Sequence, residues 1–150
     1  MSVVIRNRKA YYNYEIAEKY EAGIKLFGLE VKAIKEGKGQ LAGSFIKIEG
    51  NSVWIIGLHI PPYSKSGNLQ SYDPSRRRKL LLRSEEIKSL KGKMDRKGYS
   101  LVPLKIYLKG NLIKVQAGLV KGRKKVQKKE ELIKKQQKRE LDRMTKVRIR

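Results

Sequence analysis

The chain has 150 residues, and 37 Lys or Arg against 14 Asp or Glu leave a formal charge of +23. That length suits one compact domain with an appendage. The absence of cysteine and the presence of one histidine, His59, exclude a disulfide scaffold, a thiol nucleophile, a Cys-ligated zinc site and a multi-His metal centre.

No run of about 18 apolar residues occurs, and the first ten residues are basic without an apolar stretch. The expectation is a cytoplasmic protein that neither spans a membrane nor carries a secretion signal. A surface this basic attracts a polyanion, nucleic acid before membrane.

In chain order, the basic run Arg6-Asn7-Arg8-Lys9 precedes the first predicted strand. Tyr12, Tyr14 and Ile16, then Tyr20, Ala22, Ile24 and Leu26, alternate with more polar or smaller residues, the two-residue period of half-buried strands. Leu29–Glu36 switches to a helical period, and Gly37 is placed to end it. Phe45–Glu49 and Ser52–Ile56 flank Gly50-Asn51, a pair able to supply the positive φ angles of a tight hairpin.

A polar, Gly/Ser-rich loop runs from Pro61 to Pro74. Ser84 then reads as an N-cap, with Glu85 and Glu86 in a first turn whose dipole favours them. Ile87, Leu90 and Met94 give that helix its apolar stripe, and Gly98 closes it. A second hairpin joins Leu104–Lys109 to Leu112–Gln116 through Gly110-Asn111, with Leu104, Ile106 and Leu108 expected to face inward. The count predicts a mainly β fold with peripheral helices: an OB-like antiparallel β-barrel of about six strands, spanning residues 1–120.

Residues 121–150 differ in kind. They hold 14 basic and 4 acidic side chains and no aromatic, too little apolar surface to offset ordering entropy. Glu130–Lys134, Glu131–Lys135 and Asp142–Lys146 are nonetheless acid-first i,i+4 pairs. Val126, Ile133, Leu141, Met144 and Val147 share one helical stripe. The segment reads as a tail, disordered or partly helical when free, that coils on a negatively charged surface. The plainer alternative is a solvated basic extension.

Catalysis has little to stand on. His59 ends an apolar stretch and reads as a satisfied core or loop histidine. Glu85/Glu86 and Glu130/Glu131 are adjacent, so they project in different directions from a helix. No phosphate-binding loop, nucleophile elbow or dinucleotide fingerprint is present. The expectation is a non-enzymatic protein without cofactor or metal.

Three basic clusters are better placed to hold phosphates: Arg6-Asn7-Arg8-Lys9, Arg76-Arg77-Arg78-Lys79 and Lys121-Gly122-Arg123-Lys124-Lys125, with Asn7, Arg8, Lys9, Arg76, Arg78, Lys79, Lys121, Arg123 and Lys124 as the expected contacts. Glu30 is an acid in basic company. It either accepts hydrogen bonds from RNA bases or simply favours the first turn of its helix. Tyr11, Tyr12 and Tyr14 either stack on bases or pack on the barrel.

These residues resemble a known family, small protein B, the SsrA (tmRNA)-binding protein of bacterial trans-translation. The likeness runs from Asn7-Arg8-Lys9-Ala10 through Tyr20-Glu21-Ala22-Gly23-Ile24, Gly28-Leu29-Glu30-Val31-Lys32 and His59-Ile60. It continues in Asp73-Pro74-Ser75-Arg76-Arg77-Arg78-Lys79-Leu80-Leu81-Leu82, Leu101-Val102-Pro103-Leu104-Lys105 and Lys121-Gly122-Arg123-Lys124.

The resemblance implies a monomeric RNA-binding adaptor that grips the tRNA-like domain of tmRNA at its D-loop/T-loop elbow. With charged tmRNA and elongation factor Tu it would enter stalled ribosomes. By matching position, Glu30 and Lys32 would belong to the RNA-contacting surface, and Arg123 and Lys124 to the basic exit from the barrel. The tail, with Lys125, Lys128, Lys129, Lys134, Lys135, Lys138 and Arg139, would follow the empty mRNA channel to the small-subunit decoding centre. Tyr12-Asn13 and Gln127-Lys128-Lys129 depart from the family pattern, which carries acids there. A ribosomal or general OB-type RNA-binding protein with a basic extension is the alternative.

Overall fold

The computed structural model describes residues 2–63, 71–95 and 98–122. In chain order they form β1 (Ser2–Arg6), α1 (Arg8–Asn13), β2 (Tyr14–Ile24), α2 (Gly28–Lys35), β3 (Phe45–Glu49) and β4 (Ser52–Ile56). Then follow β5 (Arg78–Leu81), α3 (Ser84–Met94), β6 (Tyr99–Lys109) and β7 (Leu112–Gly122).

The ladders are antiparallel and run β6-β3-β4-β5-β2-β7 and back to β6, with β1 added along β6. Six strands thus bond in a closed ring, as the barrel reading expects, and β1 is a seventh that periodicity did not reveal. Two seams are thin. β3 meets β6 through the single pair Ile46↔Leu101, and β2 meets β5 through Gly23↔Leu81 and Ile24↔Leu80.

Three bulges decide which face each side chain occupies. The register skips one residue at Val4 in β1, Ala17 in β2 and Leu104 in β6. An extra residue reverses the alternation beyond it and bends the strand. Tyr14 and Ile16 therefore pack on one cluster with Val102, Leu104, Val120 and Ala10 of α1. Tyr20, Ala22 and Ile24 pack instead on the main core, with Ile34, Leu58, Leu80, Leu90, Ile106 and Val115. Leu104 and Ile106 are both buried, but on opposite faces, which corrects the expectation that they line up inward. Leu104 fills the slot left by Gly118, where a Cβ would lie 2.7 Å from its Cδ1.

Other expectations change in detail. Arg6-Asn7-Arg8-Lys9 bridges β1 and α1 rather than preceding the first strand, and Tyr12 lies in α1 rather than in β2. Asn7 caps α1, its Oδ1 accepting from the Ala10 N–H at 3.3 Å. The N-cap of α3 is Arg83, one residue before Ser84, and Glu86 accepts from its N–H at 3.2 Å.

Both hairpins have their predicted two-residue loops, and Gly50 and Gly110 take φ of +60° and +62°. Asn51 and Asn111 stay at negative φ, so the positive angle falls on the first loop position alone, as a type II′ turn requires. β7 continues through Gly122, two residues into the expected tail. The remainder of that tail, with its conditional helix, lies outside the described residues.

Candidate nucleic-acid interface

The best-built polar site centres on Glu30. Helix α2 begins after Phe27, whose backbone is extended at φ −72°, ψ 156°. Glu30, at the third helical position, reaches back to accept from the Phe27 N–H at 2.8 Å. That local bond satisfies one of the free donors at a helix start.

The same carboxylate is also gripped from β5 and the segment before it. Arg78 donates to Oε2 from Nε at 2.7 Å and has its Nη2 2.5 Å from the same oxygen in an ion pair, and Arg76 pairs with Oε1. The Tyr72 hydroxyl lies 3.1 Å from Oε2 and 2.9 Å from the Ile60 carbonyl. Arg78 further donates to the carbonyls of Leu58 and Pro74 and to the Tyr72 hydroxyl. Three otherwise separate stretches, 27–30, 58–60 and 72–78, are pinned to one point.

Glu30 is 1% and Arg78 0% exposed, so this ion pair sits where charge is tolerated only when fully paired. Burial pushes the Glu30 carboxyl up, but the bonds from Arg76, the Phe27 N–H and Arg78 outweigh it and hold the carboxyl below its ordinary value. Burial raises the Tyr72 hydroxyl, and the Glu30 charge raises it further.

Cations lie over aromatic rings around this hub. The Arg76 guanidinium lies 3.9 Å from the ring centroid of Phe27, a residue 56% exposed. Arg77 lies 4.3 Å from the Trp54 ring and Lys32 5.6 Å from that of Tyr63. Such pairs keep the charge at the surface while the ring covers the stem.

Three residues expected on the RNA surface are inside the protein, because each has a partner there. Glu30 and Arg78 hold one another. Asn7, 4% exposed, donates from Nδ2 to the Pro103 carbonyl at 2.8 Å while capping α1. They build the surface rather than forming its face. Lys32 on α2 and Arg8 and Lys9 on α1 are exposed, and Arg76 and Lys79 are half-buried.

Exposed Lys121 lies near the end of β7, with its Nζ 5.9 Å from the Tyr99 ring. Since Tyr14, which directly follows α1, pairs with Gly122, Lys121 shares one end of the molecule with Arg8 and Lys9. The described members of the three expected clusters thus fall into two groups. Arg123 and Lys124 lie outside the described residues, as do the seven tail positions from Lys125 to Arg139 expected at the ribosome.

Sequence reasoning missed Phe27, Trp54 and Tyr72. Phe27 carried a signal, standing at the N-cap position before the Gly28-Leu29-Glu30 helix start. Tyr72 carried none, because its role depends on a loop returning to α2. His59 is half-buried, with Nδ1 3.2 Å from Ser75 Oγ and its backbone bridged to Gln40, the loop histidine that was expected. Among the described residues no helix is long and apolar enough to cross a membrane, and no three His, Asp or Glu side chains gather as metal ligands.

A family model described as SmpB protein matches residues 4–147. The SsrA-binding protein of Halothermothrix orenii is 47% identical over 150 residues, covering 100% of this chain and 96% of that protein. That of Carboxydothermus hydrogenoformans is 47% identical over 146 residues, covering 97% of each. A solved structure from "tmRNA-SmpB: a journey to the center of the bacterial ribosome" matches with a TM-score of 0.68 at 45% identity, covering 83% of this chain and 87% of that one. A family match over residues 4–147, with relatives covered over nearly their whole length and a β-rich fold shared with a solved structure, has one reading: the chain belongs to the SmpB family of SsrA-binding proteins.

Proposed function

We propose that this chain is an RNA-binding adaptor that binds the tRNA-like domain of tmRNA and delivers it to stalled ribosomes for trans-translation. Full-length similarity to SsrA-binding proteins carries this reading, and the neighbouring tmRNA-SmpB structure supports both partners. In the body, the buried Glu30–Arg78 pair stiffens α2 and β5, so that Lys32, Arg76 and the ring of Phe27 meet RNA with little reorganisation.

Folded RNA is read by shape and through unstacked loop bases. The rim of Lys32, Arg76 and the Phe27 ring is held in place by the buried pair, which suits docking on a preformed elbow. The second basic group, Arg8, Lys9 and Lys121, lies at the end of the body where β7 reaches Gly122, and we assign it to the passage from body to tail. The tail lysines and arginine from Lys125 to Arg139 are assigned to the small-subunit channel. Elongation factor Tu is taken to join through the delivered RNA, and the chain is taken to be a monomer.

Gel-shift competition tests the reading. An elbow-shaped tRNA-like RNA should displace labelled tmRNA, while unstructured RNA of equal length should compete poorly. Equal competition by both would refute specific recognition. Removing the residues after Lys121 should leave tmRNA affinity largely intact while stopping nascent-chain tagging on stalled ribosomes. Loss of RNA binding on truncation would refute that division of labour.

A further inference from the structure

The outer face of the β3-β4-β5 sheet has a composition that the elbow-binding reading does not use. Inward-facing Val53 and Ile55 of β4 are buried in the core, so Ser52, Trp54 and Ile56 stand on the opposite face. Trp54 lies directly opposite Lys47 on β3 and Lys79 on β5. Lys47, Trp54 and Lys79 thus form one cross-strand row.

One pair further along, Phe45 faces Ile56, and Phe45 is 46% exposed. Arg77 lies over the Trp54 ring and pairs with Glu49 Oε2 at 3.3 Å, while Lys47 Nζ is 3.5 Å from Glu49 Oε1. Three cations therefore stand against one carboxylate around an indole and an exposed phenyl ring. Both ion pairs are open to water, and such pairs hold weakly.

The geometry points to this face as a second RNA site, one that takes unpaired nucleotides of a single strand by stacking them on Trp54 and Phe45. The argument is charge complementarity combined with ring placement. Every base has a π-face, so aromatic rings on a sheet take bases without regard to sequence, while neighbouring cations follow the phosphates. Lys47 and Lys79 flank the indole on both sides, where the backbone of a strand crossing β4 would run.

Arg77 occupies the indole while the site is empty. With a base on the ring, its guanidinium can turn from Glu49 to a phosphate, exchanging one exposed ion pair for another. The inference rests on the RNA-binding reading above but concerns a different face and a different RNA form.

Trp54 is the single tryptophan of the chain, so its emission reads this face alone. The full chain is titrated with oligouridylate at about 0.3 M salt, where purely ionic binding falls away. The expected result is saturable quenching of Trp54. By anisotropy of labelled RNA, Trp54→Ala should weaken oligouridylate binding roughly 5- to 150-fold, the affinity equivalent of one stacked base. Trp54→Phe should retain most of the binding, and Lys47→Gln, on an exposed position that cannot disturb the core, should weaken it. Affinity for the folded tRNA-like RNA should be unchanged in Lys47→Gln.

Absence of quenching while the folded RNA still binds would overturn this inference alone. Failure of the wild-type chain to bind either RNA would overturn the RNA-binding reading with it. Shielding of Trp54 that rises with protein concentration and ignores RNA would assign the face to a second copy of the chain and overturn the inference too.

Discussion

Replacing Glu30 by Gln keeps the shape of the side chain and removes its charge. The consequence falls on Arg78, which is fully buried and has only carbonyls and a phenol as its other partners, at Leu58, Pro74 and Tyr72. Arg76 is a quarter exposed and can turn to water, whereas Arg78 cannot. Breaking a buried pair by removing one partner costs about 3–5 kcal/mol. The three remaining acceptors put this site near the lower limit, at roughly 3 kcal/mol, a large share of the ~5–15 kcal/mol that holds a domain folded.

For a chain of this length that loss lowers Tm by roughly 6–12 °C. Urea unfolding followed by circular dichroism at neutral pH measures it directly. The pH dependence has a definite sign. The folded carboxyl lies below its ordinary value, so the charge contributes stability above the unfolded value near ~4.3 and loses it as pH falls through the lower folded value. The gap between wild type and Glu30→Gln should therefore be full at neutral pH and close in acid. The double variant Glu30→Leu/Arg78→Met, which removes both charges, should recover most of the loss, since well-packed apolar replacements of buried pairs are often neutral or better. A Glu30→Gln protein within about 0.5 kcal/mol of wild type at neutral pH, inside the range of ordinary surface substitutions, would refute the reasoning.

Gly118→Ala should destabilise by about 1–3 kcal/mol through overpacking, because the new Cβ meets buried Leu104 at 2.7 Å; adding Leu104→Ala should relieve the clash, as thermal melts of both variants would show. Asn7→Ala removes the cap of α1 and the side-chain bond to the Pro103 carbonyl, so a loss of about 1–2 kcal/mol is expected in chemical denaturation. Affinity for the tRNA-like RNA should fall on a log–log plot against salt by roughly 0.7–0.9 per neutralised phosphate. A flat plot from binding titrations would contradict the role given to the exposed cations.

Much of the architecture was legible along the chain, because the elements concerned are stabilised by their neighbours. The two-residue period of β2, the Gly-Asn loops of the hairpins and the apolar stripe of α3 all report local backbone geometry. Gly37, at φ +77°, ends α2 where its position said it would. The charge of +23 pointed to a polyanion before any fold was considered.

What stayed hidden depends on partners distant in sequence. Helix α1 is six residues long, too short to show a period, and it stands because Asn7 bonds to Pro103, 96 positions away. The bulges at Ala17 and Leu104 arise from how β2, β6 and β7 fit one another, so alternation read from either strand alone assigns half of it to the wrong face. Glu30 shows the division most clearly. Its place in the first turn of α2 follows from the residues beside it, and its acidity suggested a ligand. Only the fold brings Arg78 to it from 48 positions away, and once buried, a carboxylate must be met by charge from the protein itself. Sequence thus determined which groups would be charged and which strands would alternate; the tertiary structure decided which charges face solvent, because desolvation is a property of the packed molecule and not of the chain.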